Sequence, residues 1–464
     1  MTPLVSDYVC TMFARYQGIL TDDFMLFYHR YILKSMGVAV VSSAEQGIRL
    51  NIKQGFQLKK RNHSSSFRIK KRNAFLGKAA TIFFSVVAIA LISVATALLL
   101  KMQGMTGGST ALQTPPVITG DTVAPIHNSY GIAAGSSLTA ADSATINSRL
   151  DGMAALGVKW VRIDFDWSAI QPDNETTFNW SQYDTIVAAA QQRHLYLLGI
   201  LTYTPDWARP SSCKQDNKCA PADSRQFAAF ASAVAARYSS KDVHYWEVWN
   251  EPNNPSFWQP KADPVGYTQL LKRTDAAVKQ QDPSAYIITG GLSPQATTNT
   301  SYAPIDFLNA IYKAGAKGNF DAVADHPYTF PLSPVNTADH AWNQMASTNT
   351  SLRQTMVKNG DSNKKIWITE FGAPTGGPGP ISTISNPNLD QHPYVVDEAL
   401  QSKIMTDALT LYKSYDWTGP FFWYSYQDAG YTQDTNENFF GLLRYDGSQK
   451  PAYSTYKSWI GANQ

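Results

Sequence analysis

From Ser129 onward the chain repeats one rhythm, in which short β-branched or aromatic runs alternate with amphipathic stretches of helical period. The runs are SYGIAAG (129–135), KWVRIDFDW (159–167), LYLLGILTY (195–203) and HYWEVWNE (244–251), then YIITGGL (286–292), DAVADHPY (321–328), KIWITEFG (365–372) and FFWYSYQD (421–428). Between them lie SRQFAAFASAVAARYS, GYTQLLKRTDAAVKQQ and DEALQSKIMTDALTLYKSY, and AYSTYKSWIG follows the last run. Strands alternating with helices predict parallel strands joined by crossovers. Eight such units in 128–464 predict a closed (β/α)8 TIM barrel. An open doubly wound sheet is the competing arrangement. It would carry a Gly-rich phosphate loop after its first strand, whereas AAGSSLTAADS follows here.

The pattern upstream is different. Ala79 to Leu100 reads AATIFFSVVAIALISVATALLL, 22 residues without a charge, enough to cross a bilayer core of roughly 30 Å as a helix. Its upstream flank is RIKKRNAFLGK, while only Lys101 follows directly downstream. Basic residues stay on the cytoplasmic side. The segment 79–100 therefore predicts a single-pass signal anchor in the cell membrane, with the N-terminus cytoplasmic and the rest extracytoplasmic. A cleaved signal peptide is the rival, but its apolar core would be about 7–15 residues and end in small residues. Residues 1–78 form a basic tail and 101–127 a flexible linker rich in Gly, Ser, Thr and Pro.

Composition changes this picture in three places. Aromatic residues make up 12% of the chain and charged residues 16%, which excludes a disordered protein. The formal charge of +3 conceals a split: residues 1–78 carry 13 Lys and Arg against 4 Asp and Glu, so the remainder is net −6. An acidic domain is a poor partner for nucleic acid, whose phosphates need Lys and Arg. Cys213 and Cys219 stand six positions apart between prolines, which predicts a local disulfide if this part lies outside the cytoplasm. No His or Cys cluster stands at zinc-ligand spacing, so neither a metal nor another cofactor is expected.

In such a barrel the chemistry sits at the C-terminal ends of the strands. Strand two carries Arg162, Asp164 and Asp166; strand three runs into Tyr203, Pro205 and Trp207; strand four ends Trp249-Asn250-Glu251-Pro252-Asn253. Strand six ends Asp325-His326-Pro327-Tyr328, strand seven Thr369-Glu370-Phe371-Gly372, and strand eight contributes Trp423 and Tyr424. Two carboxylates on strands three units apart can face each other across the mouth. Glycosidic cleavage needs that pair, one carboxyl to protonate the leaving oxygen and one to attack the anomeric carbon or activate a water. Glu251 and Glu370 are the candidates. Glu247 shares strand parity with Glu251 but lies deeper, as a structural acid. Trp207, Trp249 and Trp258 are either packing residues or platforms for sugar rings.

The segments YWEVWNEPNNPSFW and WITEFGAP resemble those of the clan A glycoside hydrolases. The resemblance covers roughly residues 128–460 and is nearest to family 39, including its bacterial exopolysaccharide glycosidases, with family 5 cellulase-like enzymes next. It implies a retaining mechanism acting on a polysaccharide or oligosaccharide, with Glu251 as acid/base and Glu370 as nucleophile. It further implies Asn250 on the sugar 2-hydroxyl, His326 and Tyr328 beside the nucleophile, Arg162 keeping it ionised, and Trp423 as the floor of the subsite. Only 36 residues follow Asp428, fewer than the β-sandwich of family 39 xylosidases needs, so the likeness leans toward the single-barrel exopolysaccharide enzymes. A transglycosylase would use the same residues. A non-catalytic carbohydrate-binding barrel would lack one carboxylate. A further reading makes the basic tail the working part, binding anionic lipid or a cytoplasmic partner, and deleting residues 1–72 would then abolish function while leaving hydrolysis by the barrel intact.

Overall fold

A computed structural model describes Ala124 and residues 126–463, except 214–215, 337–339 and 391. The basic tail, the 79–100 segment and all but the last few residues of the linker lie outside the described residues. Among the described residues no helix is long and apolar enough to cross a membrane.

All eight runs form strands: β1 Tyr130–Gly135, β2 Trp160–Asp166, β3 Tyr196–Thr202, β4 Tyr245–Val248, β5 Tyr286–Thr289, β6 Ala322–Asp325, β7 Lys365–Phe371 and β8 Thr418–Tyr424. Each pairs in parallel with its sequence neighbours, and β8 closes on β1. The crossovers are α1 Ser143–Leu156, α2 Ser181–Gln191, α3 Ser224–Tyr238, α4 Pro264–Gln281, α5 Pro304–Lys313, α6 Leu352–Lys358 and α7 Glu398–Lys413, and α8 Pro451–Asn463 follows β8. A two-stranded ribbon, Ile381–Ser382 with Val395–Val396, decorates the connection after β7. Side-chain oxygens accept from the first free amides of several helices, as Asp142 does from Thr145 and Asp397 from Leu400.

Alternation along each strand sorts the side chains into two cores. Outward positions such as Val161, Ile163, Phe165, Phe421 and Trp423 join the helices in the larger core. Inward positions build the smaller one from Trp160, Leu198, Trp367 and Phe422. Trp160 meets Tyr245 at 4.8 Å and Trp367 at 5.2 Å between ring centroids. One inward step nearer the C-terminal mouth the residues turn polar: Arg162 follows Trp160, Glu247 follows Tyr245, and Thr369 follows Trp367. The aromatic layer is a dry floor for that polar layer.

Beyond β8 the chain is fastened by a buried ion pair. Lys450 Nζ lies 2.7 Å from Asp428 Oδ1 and 2.7 Å from Thr375 Oγ1, and also donates to the Phe439 carbonyl. Both side chains are at most 5% exposed. Lys450→Met is expected to strand the Asp428 carboxylate and destabilise the barrel by about 3–5 kcal/mol, read by urea unfolding. A loss under about 1 kcal/mol would show that the pair does not fasten this loop.

Candidate active site

The C-terminal ends of β2, β4, β6 and β7 converge on Arg162. This guanidinium is 1% exposed. Its Nε and one terminal nitrogen donate to Glu247 at 2.6 and 3.0 Å, and that terminal nitrogen also reaches Asn250 Oδ1 at 3.0 Å. Its other terminal nitrogen donates to Glu370 Oε1. Burial alone would lower the Arg162 pKa, but the charges of Glu247 and Glu370 raise it above its ordinary value. Glu247 is itself fully buried, and it also accepts from the Gly291 amide at 2.8 Å. It is the structural acid expected from its depth.

Glu370 is held on its second oxygen by the Tyr328 hydroxyl at 2.8 Å. Burial pushes its carboxyl pKa up. The charges of His326 and Arg162, with the hydrogen bonds from Tyr328 and Arg162, push harder the other way, and the net shift is downward from 4.5. Glu251 is buried opposite. Its Oε2 accepts from Asn254 Nδ2 at 3.0 Å, and its Oε1 lies 3.1 Å from His326 Nδ1. The other ring nitrogen of His326 lies 3.0 Å from Thr369 Oγ1. Burial lowers the His326 pKa, but the charge of Glu370 and the hydrogen bond to Glu251 bring the net shift upward. One oxygen of each glutamate and a ring nitrogen of His326 all lie within 4.8 Å of one another. Such a trio could ligate a cation. Here its atoms are already engaged by Arg162, Tyr328, Asn254 and Thr369, and the guanidinium would repel a metal ion.

Local backbone geometry contributes to this convergence. Tyr203, Trp249 and Glu251 have φ of 50°, 70° and 46°, a region that bulky residues avoid at a cost on the order of 1–3 kcal/mol each. The Glu251 amide donates to the Gly291 carbonyl at 3.1 Å and the Trp249 amide to the Leu201 carbonyl at 2.9 Å, which holds the turn in place. A Cβ on Gly291 would lie 2.0 Å from His326 Nε2. The GG pair after β5 thus leaves room for the imidazole.

The structure brings Arg162, Asn250, Glu251, His326, Tyr328 and Glu370 into one cluster. Trp423 is a correction. Strand parity points Phe422 and Tyr424 into the barrel and Trp423 outward, where it is fully buried and donates to the Phe440 carbonyl at 3.3 Å. It offers no floor to a sugar, and Tyr424 is the strand-eight aromatic facing the site. Trp249 and Trp258 are at most 4% exposed and pack on each other, so they are not platforms. Trp207 is half-buried at the rim, its indole donating to the Gln171 carbonyl at 2.8 Å and its ring meeting Trp167 edge-on. Cys213 and Cys219 are disulfide-bonded. The loop they close is tied to the end of β3, where Thr204 Oγ1 donates to the Cys219 carbonyl at 2.7 Å.

Two further carboxyls stand near the pair. Asp164, one inward step above Arg162, has its pKa pushed up to about 7, by burial first, while Arg162 opposes. Glu437 sits in the turn Asn436–Phe439 after β8. Although Glu437 keeps exposed surface, desolvation of its carboxyl and the charges of Glu370 and Glu251 raise its pKa. Asp164 was visible as a strand-two acid. Glu437 lies in an irregular loop that no periodicity could place.

Residues 123–406 match the model of the family described as cellulase, glycosyl hydrolase family 5. In fold the chain is similar to a family 39 glycoside hydrolase from the gut symbiont Bacteroides cellulosilyticus WH2, at 23% identity over 72% of this chain and 64% of that one, with a TM-score of 0.55. It is also similar to GH5_18 from Streptomyces cattleya, at 17% identity over 72% and 80% of the two chains, with a TM-score of 0.53. Among curated proteins, a stretch of 119 residues is 31% identical to a beta-xylosidase of Geobacillus stearothermophilus. That stretch is 25% of this chain and spans only 22% of the relative's length. Both families that the strand-four and strand-seven motifs resemble are among these matches.

The depressed Glu370 pKa also fixes a direction for pH. A carboxyl whose folded-state pKa lies below its unfolded value contributes stability that is present above the unfolded value and lost as pH falls through the folded one. Tyr328→Phe removes one of the hydrogen bonds that favour the anion. The expected outcome is an upward shift of the Glu370 titration, followed by carbon-detected NMR of labelled protein. An unchanged titration would mean that the hydroxyl does not stabilise the carboxylate.

Proposed function

The chain belongs to the cellulase family, glycosyl hydrolase family 5, and from that premise we propose that it is a retaining glycosidase hydrolysing β-linked O-glycosidic bonds of a polysaccharide outside the cytoplasmic membrane. The observation that carries this reading is the spacing of Glu251 and Glu370, whose nearer oxygens lie within 4.8 Å. Retaining enzymes hold their two carboxyl groups about 5–5.5 Å apart, and inverting enzymes leave roughly 6.5–9.5 Å for a water between them.

Glu370 is the nucleophile. Arg162 and Tyr328 hold it ionised with both oxygens oriented, and one oxygen attacks the anomeric carbon. As that bond forms, Glu251 gives its proton to the departing glycosidic oxygen, and the sugar is left as an ester on Glu370. Glu251, now a carboxylate, takes a proton from water. The hydroxide character so created displaces Glu370, and Glu251 returns protonated. His326 spans the two, near Glu251 through Nδ1 and 3.7 Å from Glu370 Oε2, and so keeps their relative position. Because Asn250 spends its carbonyl oxygen on Arg162, its amide NH2 is the group left to donate to a sugar hydroxyl.

Two features support that place of action. The uncharged segment 79–100 has its basic flank on the N-terminal side, which fits a membrane anchor with a cytoplasmic tail. A disulfide between Cys213 and Cys219 fits an oxidising compartment.

Glu370→Ala is expected to lower hydrolysis on the order of 10⁴-fold or more, measured against a panel of β-linked polysaccharides with product analysis. Added azide should restore turnover and give a glycosyl azide of inverted anomeric configuration. Rescue with the opposite anomer would exchange the two roles, and full activity in the variant would end the proposal.

A further inference from the structure

A carboxylic acid can carry its proton on either oxygen, and the two oxygens of Glu251 have different surroundings. Oε1 is turned toward the nucleophile: it lies 3.1 Å from His326 Nδ1, which is itself 3.7 Å from Glu370 Oε2. Oε2 meets instead the Asn254 side chain, whose Nδ2 stands 3.0 Å away in the turn that follows β4.

The sequence around Asn254 dictates which end of its amide faces Glu251. Asn-Pro-Ser is a turn-forming run. Pro255 has no N–H, so the first free amide beyond Asn254 is that of Ser256, which donates to Asn254 Oδ1 at 2.9 Å. With its oxygen so engaged, the side chain presents Nδ2 to its remaining neighbours. Those are Glu251 Oε2 and Ser293 Oγ, the latter at 3.3 Å. An amide NH2 has two hydrogens to give and accepts nothing, and both of these are placed. Glu251, Asn254 and Ser293 are 8%, 9% and 5% exposed, so water has little access to replace any of these bonds. The main chain is pinned as well. The amides of Phe257 and Trp258 donate to the Asn254 carbonyl at 3.0 and 2.9 Å, and the Trp249 indole donates to the Phe257 carbonyl at 2.7 Å.

A fixed donor selects an acceptor. A proton on Oε2 would set an O–H against an N–H and leave a buried donor without a partner, which is unfavourable. On Oε1 the proton lies between that oxygen and His326 Nδ1 and can pass to an incoming glycosidic oxygen. We propose that Asn254 is a positioning residue that confines the Glu251 proton to Oε1, the oxygen turned toward Glu370 and hence toward the bond to be cleaved. In the first step the Oε1–H bond breaks as the bond from hydrogen to the leaving oxygen forms. Asn254 touches no substrate and acts through Glu251 alone. This inference rests on the glycosidase reading.

Two substitutions separate this role from a structural one. Asn254→Ala removes the donor. Asn254→Asp keeps the shape and the acceptor for the Ser256 amide, but it puts an acceptor opposite Oε2 and so draws the Glu251 proton to the wrong oxygen. Both are compared with the unaltered full-length chain on phenyl and 2,4-dinitrophenyl β-glycosides of the sugar that the polysaccharide panel identifies. Phenoxide needs a proton to depart and 2,4-dinitrophenoxide does not, and kcat/KM reports on bond cleavage before the ester is resolved. On the phenyl glycoside kcat/KM is expected to fall about tenfold in Asn254→Ala and about a hundredfold in Asn254→Asp, while the dinitrophenyl glycoside changes less than about threefold in either. The milder change in shape thus gives the larger loss, an order that a structural role would not produce. Equal losses on the two substrates, no loss on the phenyl glycoside, or a smaller loss in Asn254→Asp than in Asn254→Ala would overturn the role of Asn254 and leave the glycosidase reading standing. If Asn254→Ala does not fold, Asn254→Asp decides by its selectivity between the two substrates. A folded, unaltered chain that cuts nothing in the panel would overturn both.

Discussion

Arg162 lies at the centre of the barrel mouth with almost no contact with water. An isolated buried cation costs several kcal/mol, so its position is possible only because Glu247 and Glu370 divide its charge and Asn250 accepts from it. The dependence runs both ways. Among the described residues Glu247 pairs with no other cation, and Glu370 would lose with Arg162 one of the two charges and one of the hydrogen bonds that hold it ionised against burial. A single guanidinium thereby fixes a structural acid below, a carboxylate above and an amide at the side. It also converts the fold's parallel strands into a site, because its partners come from β4 and its C-terminal turn and from β7.

The rest of the molecule serves to make that placement affordable. The aromatic layer of Trp160, Tyr245, Trp367 and Phe422 seals the barrel beneath the charged layer. This low-dielectric floor strengthens every interaction above it. The strained backbone at Trp249 and Glu251 turns the end of β4 so that Glu251 meets His326 rather than continuing the strand. Gly291 leaves the space that His326 occupies. Past β8, the buried Lys450–Asp428 pair fixes the loop that carries Glu437.

Much of this was legible in the chain itself. All eight strands appeared as β-branched and aromatic runs because both faces of a barrel strand are covered, and a run buried on both sides needs apolar residues at nearly every step. Glu251 and Glu370 were legible because strand ends are where a barrel places its chemistry. Local period was less informative where the strand ends and the chain turns. Trp423 was read as a sugar floor, yet one step of parity separates it from Tyr424 and reverses the face. The turn at Trp249 and Glu251 breaks parity altogether. Glu437 lies in a loop held by backbone bonds and a buried ion pair formed 22 residues apart, and nothing periodic marks such contacts. Gly290 and Gly291 were present as a pair in YIITGGL, a signal of close approach that pointed to no particular neighbour.

The central claim is that two carboxylates this close form and resolve a covalent sugar ester, so that the cleaved bond's configuration is inverted twice. Proton NMR of the first reducing sugar released, recorded before mutarotation, tests it most directly on whichever polysaccharide the protein cuts. That sugar is expected to keep the β-configuration of the bond that was broken. A first product of α-configuration would mean that water attacks directly, and would contradict the assignment of Glu370 as nucleophile.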